Sequence, residues 1–72
     1  MRIEDYQIVI SHLAEEDGGG FLATVPLLPG CMSDGGSREE ALRKIDDAIS
    51  AWIETAKRLG RPVPEPTLTR AA

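Results

Sequence analysis

Cysteine and histidine each occur once in this 72-residue chain, as Cys31 and His12, and the aromatics are limited to Tyr6, Phe21 and Trp52. One cysteine excludes an internal disulfide, and the absence of a Cys/His cluster excludes a structural zinc site. A domain this small lies near the lower limit for a single unaided core, so oligomerisation or a bound partner is the expected substitute for a staple. No stretch approaches the ~20 apolar residues of a membrane span, and the N-terminus MRIEDYQIVI lacks a signal-peptide core. The expectation is one soluble, cytoplasmic domain without a cofactor. Basic charge is also scarce: 12 acidic residues against 8 basic ones give a net charge of -4. That balance argues against binding DNA or another phosphate backbone, which needs clustered Lys and Arg, and suits a basic protein partner.

What is present is punctuation and periodicity. Residues 6–13, YQIVISHL, alternate as a β-strand, with Tyr6, Ile8, Ile10 and His12 on the better core face and Val9 and Leu13 on the other. AEEDGGG reads as a hairpin loop, and FLATV returns as a second strand with Phe21, Ala23 and Val25 on one face and Leu22 on the other. Pro26 and the Pro29-Gly30 pair bend the chain, and Cys31-Met32-Ser33 is expected as a short third strand ended by Asp34-Gly35-Gly36. Ser37 followed three residues later by Glu40 fits a capping box. Ala41, Leu42, Ile45, Ala48, Ile49, Trp52, Ile53, Ala56 and Leu59 then fall within an arc of roughly 140° on one helix. Gly60 supplies a C′ residue after Lys57 and Arg58.

Pro62, Pro64 and Pro66 alternate beyond the helix, consistent with a blunted edge strand or a polyproline-like tail. With Leu68 closing the domain, the expected architecture is α+β, three antiparallel strands, one long helix and a short final strand. A right-handed crossover gives strand order 3-2-1-4, a domain over residues 1–68 and a frayed tail over 69–72. One helix covers one sheet face. The other, carrying Val9, Leu13 and Leu22, is the expected surface for self-association or a partner.

No residue pattern assembles an active site. The helical acids have partners one turn away (Glu39 with Arg43, Glu40 with Lys44, Arg43 with Asp47, Glu54 with Arg58) and read as a solvated ion-paired face. Glu15, Glu16 and Asp17 sit beside glycines, a poor place for catalytic geometry but a suitable one for docking on a basic surface. His12 reads as a hydrogen-bonded structural histidine, Cys31 as a packed small apolar residue, and Trp52 as the main core anchor.

The ordered set Asp17 to Phe21, Val25-Pro26, Leu28-Pro29-Gly30-Cys31, Gly35-Gly36-Ser37, Glu39-Glu40-Ala41, Trp52 and Pro64-Glu65-Pro66 resembles the HicB family of antitoxins, over residues 6–68. The resemblance implies a partially degraded ribonuclease H-like fold and a non-enzymatic role. Such a protein binds a HicA-like toxin, a small ribonuclease, and shields its catalytic histidine from RNA by steric occlusion. Leu27 departs from the acidic residue the family often has there. Full-length relatives usually continue into a DNA-binding domain; here the sequence stops at Ala72, so operator binding is not expected of this chain. The alternative is an orphan oligomeric domain with a structural or regulatory role and another protein partner.

Overall fold

The computed structural model describes residues 3–66 and builds two layers, one sheet and one helix. Strand β1 spans Val9–His12, β2 Phe21–Thr24 and β3 Met32–Gly35, and helix α1 runs Arg38–Arg58. Short 3-10 turns at Ile3–Asp5 and Glu15–Asp17 precede β1 and fill the first hairpin. The sheet is antiparallel in the order β1-β2-β3. Its register aligns Ile10, Ala23 and Ser33 in one row and His12, Phe21 and Gly35 in another, with Val9, Thr24 and Met32 alternating onto the opposite face.

The inner face carries the core. Ala23 and Val25 from the sheet region meet Ala41, Ile45 and Ile49 from α1, with Tyr6, Leu28 and Cys31 closing the sides. Leu28, Ile45 and Ile49 are the largest fully buried side chains, each stabilising the fold by about 1.5–3 kcal/mol through burial. Leu28 carries no periodic signal in the sequence; it lies in the loop between β2 and β3, and the turn rather than an alternation drives it inward.

Helix α1 is fixed at both ends by local chemistry. The Ser37 hydroxyl accepts a 3.1 Å hydrogen bond from the Glu40 amide, satisfying a donor in the first turn. The reciprocal Glu40 carboxylate accepts from the Gly36 amide at 3.1 Å, one residue earlier than a capping box predicts. At the other end Gly60 takes φ 71° and donates to the Lys57 carbonyl, while the Arg61 amide donates to Ala56. That is a Schellman closure, with Leu59 as the cap residue.

Several expectations require correction. The first strand is shorter than 6–13: Tyr6 lies in a bend before β1, is buried, and its hydroxyl donates to the Pro64 carbonyl. The third strand is displaced: Cys31 precedes it, and Asp34 and Gly35 belong to it. Gly35 serves close packing there, since a Cβ would stand 2.7 Å from the Ala41 nitrogen and 2.9 Å from the Glu40 side chain. Of the expected final strand, residues 61–66 form no strand, and the Pro64 carbonyl instead accepts from the Tyr6 hydroxyl. Leu68 and the tail 69–72 lie outside the described residues. The sheet is therefore three-stranded among the described residues. Leu42 and Leu59, assigned to the inward arc by angle alone, are 44% and 59% exposed. Leu42 lies at the flank of the arc and Leu59 beyond the last helical turn, where the narrow sheet offers no cover.

Candidate protein-binding surface

The smallest dimension of the molecule is 16 Å, the thickness of two layers without a third. The sheet face turned away from α1 is accordingly open. Val9 is 42% and Met32 55% exposed on it, and Leu13 and Leu22 are half-buried. Register explains the grouping: Val9, Thr24 and Met32 form one cross-strand row, and Ser11, Leu22 and Asp34 the next. The strand period of two that sends Ile10 and Ala23 into the core sends these residues outward. Met32 belongs to this patch although the sequence reading did not select it. Its alternation with Ser33 inside a strand was the signal, hidden by the uncertain boundary of β3.

The hairpin at one end of this face carries Glu15, Glu16 and Asp17, all exposed. Their turn is closed by three glycines with positive φ (102°, 70° and 76° at Gly18, Gly19 and Gly20), a backbone that side-chain-bearing residues adopt at a cost. Loop shape and charge are thus set independently: glycines form the turn, and the acids project from it. Beside the loop, the exposed His12 ring stacks on Phe21 with centroids 4.7 Å apart and planes 13° from parallel. The Arg38 guanidinium lies 5.9 Å from the Phe21 ring centre. His12 is thus an exposed stacking residue, in contrast to the hydrogen-bonded structural role expected of it.

The Val25–Met32 turn is held from the helix side. Cys31 donates to Leu28 across Pro29-Gly30 at 2.9 Å, and the Trp52 indole donates to the Pro29 carbonyl at 2.9 Å. Trp52 is half-buried, so it ties the turn to α1 at the edge of a core whose centre is Leu28, Ile45 and Ile49. Pro26 is exposed and Cys31 buried, and burial pushes the Cys31 thiol pKa up, away from a reactive thiolate. Two of the anticipated helical ion pairs form, Glu40 with Lys44 at 3.5 Å and Glu54 with Arg58 at 3.6 Å. The Gly36 amide, then Lys44, holds the Glu40 carboxyl below its ordinary value.

Among the described residues no group of His, Cys, Asp and Glu is arranged to hold a metal ion, and no helix is long and apolar enough to cross a membrane. What the geometry defines is a small α+β domain with an uncovered apolar sheet face next to an acidic loop, a surface suited to binding another protein. Residues 6–71 match the profile of the HicB-like antitoxin family of bacterial toxin-antitoxin systems, and the chain belongs to that family. A UPF0150 protein of Thermoplasma acidophilum is 36% identical over 59 residues, covering 82% of this chain and 81% of its own. A UPF0150 protein of Synechocystis is 38% identical over 60 residues (83% and 78%), and one of Helicobacter pylori 46% over 46 residues (64% of each). No solved structure matches the chain.

Proposed function

We propose that the chain is the antitoxin of a type II toxin-antitoxin pair, binding and sterically occluding a HicA-type mRNA-cleaving toxin in the cytoplasm. Family membership supports an antitoxin role and with it a toxin partner. The observation that carries the finer reading is the juxtaposition of an open apolar sheet face, Val9, Leu13, Leu22 and Met32, with the exposed acids Glu15, Glu16 and Asp17. An RNA-cleaving toxin must attract a polyanion and therefore presents basic surface. An acidic loop steers association with that surface, and the apolar face beside it supplies the desolvated contact. Inhibition then needs no chemistry from this chain; it needs only that the toxin's RNA-binding surface be covered.

The chain self-associates, as befits a two-layer slab with few fully buried side chains. The succession of three antiparallel strands and a helix supports a partially degraded ribonuclease H-like fold.

The test is co-expression with whatever protein the adjacent gene encodes, which the proposal expects to be small and basic. Growth arrest by that protein alone, relieved by this chain, with a complex that co-purifies, is the expected result. Unrelieved arrest with no complex contradicts the proposal. The triple variant Glu15→Lys, Glu16→Lys, Asp17→Lys is expected to weaken rescue while remaining folded, because all three side chains are exposed.

A further inference from the structure

Helix α1 borders a groove along its C-terminal half. The opening, between the helix and the turn into β3, measures about 520 Å³, within the ~300–1,000 Å³ span of small-molecule sites. Small residues cut its helix wall: Ala48, Ala51, Thr55 and Ala56 follow one stripe that ends on Leu59. Over residues 48–59 that wall runs roughly 16 Å along the helix axis. The opposite wall is the 29–32 turn, which the Trp52 indole holds by its 2.9 Å bond to the Pro29 carbonyl. That bond satisfies the ring nitrogen and leaves the rest of the indole as apolar lining.

Charge stands at one end. Among the described residues no carboxylate lines the groove, and Arg61 is its one charged residue, in a chain with 12 acidic residues and a net charge of -4. The Arg61 amide donates to the Ala56 carbonyl at 2.8 Å, so the closure of α1 fixes where this side chain starts. Glu54 is taken by Arg58 at 3.6 Å, and among the described residues no carboxylate pairs with Arg61. Met32 and Leu59, the two most exposed large apolar side chains among the described residues, both border the opening.

We propose that this groove binds a small amphiphilic carboxylate, its apolar body lying along the 48–59 wall against Trp52 and its head paired with the Arg61 guanidinium. Size selects a small ligand. A stable protein interface buries about 800 Å² on each partner, more than one helix stripe beside a short turn offers. Charge selects the anion, because a guanidinium grips a carboxylate through two parallel N–H···O bonds and no acid in the groove competes for it. The apolar body displaces water from Met32, Trp52 and Leu59, which supplies the remaining affinity. The site goes beyond the antitoxin reading and does not depend on it.

Trp52 is the chain's one tryptophan, so its fluorescence reports on the groove directly. The full chain is titrated with decanoate and, in parallel, with decylammonium, both below their micellar concentrations. A saturable change in Trp52 emission with a Kd of about 1 mM or below is expected for decanoate, the affinity open to a ligand of about a dozen heavy atoms. Decylammonium is expected to bind about tenfold more weakly or worse. The net charge of -4 by itself favours the cation, so a preference for the anion isolates Arg61. Arg61→Gln is expected to abolish that preference, and Arg43→Gln, which removes an equal charge from the same helix outside the groove, to keep it. Leu59→Glu, at a 59% exposed position, is expected to weaken decanoate binding about tenfold with the circular dichroism spectrum unchanged.

No saturable change overturns the proposal. So does decylammonium binding as tightly as decanoate, a preference that survives Arg61→Gln or disappears in Arg43→Gln, or a folded Leu59→Glu chain that binds decanoate like the wild type. A Trp52 change that appears with rising protein concentration alone assigns the groove to a second copy, and one produced by a short peptide of alternating Leu and Glu but not by decanoate assigns it to a protein segment; either overturns the proposal. Absent decanoate binding with intact rescue of growth overturns this site alone, and decanoate binding without rescue overturns the antitoxin reading alone.

Discussion

The two faces of the sheet are built from the same strands by the same alternation, and they have opposite fates. On the inner face Ala23 is fully buried, and Ile10 and Phe21 pack against a core set by Ile45 and Ile49. On the outer face Val9 and Met32 remain about half exposed, and Leu22 is only partly covered. The difference lies in supply, since among the described residues there is one long helix and it covers one face. Residues that fold the domain and residues available to bind a partner are therefore separated by a single step along a strand, so the two groups can be perturbed independently.

The sharpest break in the comparison is an inner-face change. Leu28→Ala removes a fully buried side chain and is expected to cost about 2–5 kcal/mol, enough to unfold much of a marginal domain. Urea unfolding followed by circular dichroism measures it. Gly35→Ala comes next: its Cβ meets the backbone of α1 at 2.7 Å, which a side-chain rotation cannot relieve. About 1–3 kcal/mol of destabilisation is expected in the same measurement, with the first turn of α1 lifted from β3.

Ser37→Ala, which deletes the cap but leaves both sheet faces intact, should cost about 1 kcal/mol. Val9→Lys on the outer face, at a 42% exposed position, should change stability by less than about 0.5 kcal/mol while abolishing rescue in the co-expression test, a separation of folding from function no inner-face variant can show. The smallest effect concerns pH. Because the folded state lowers the Glu40 pKa, its contribution is present above the unfolded value and is lost as pH falls through the folded one. Glu40→Gln should melt below the wild type at neutral pH, with the gap narrowing as acid protonates the carboxylate.

Much of this was legible in the residues. The helix start, its C′ glycine and the inward positions Ile10, Phe21, Ala23 and Val25 each rest on short-range rules that tertiary structure did not override, whereas His12 is exposed. Residues 61–66, the boundary of β3 and the burial of Leu28 depended on contacts between distant segments: Tyr6 with Pro64, Gly35 with Ala41, Trp52 with Pro29. Periodicity contains no information about those meetings. The same limit applies to the proposed binding surface. Alternation placed Val9, Leu13 and Leu22 together on one face, but Met32 joined them only once the pairing of β3 with Thr24 was known. Trp52 shows the opposite error, because a helix angle near the centre of the apolar arc does not reveal that the sheet ends short of it.

The central claim is that the outer sheet face and the acidic hairpin receive the toxin. Amide chemical-shift mapping of the labelled chain, titrated with a catalytically silenced HicA-type toxin, tests this most directly. Perturbations concentrated on residues 9–24 and at Met32 and Asp34, weakened by added salt and by Glu15→Lys, are the predicted result. Perturbations confined to the exposed face of α1, with residues 9–24 unmoved, would contradict it.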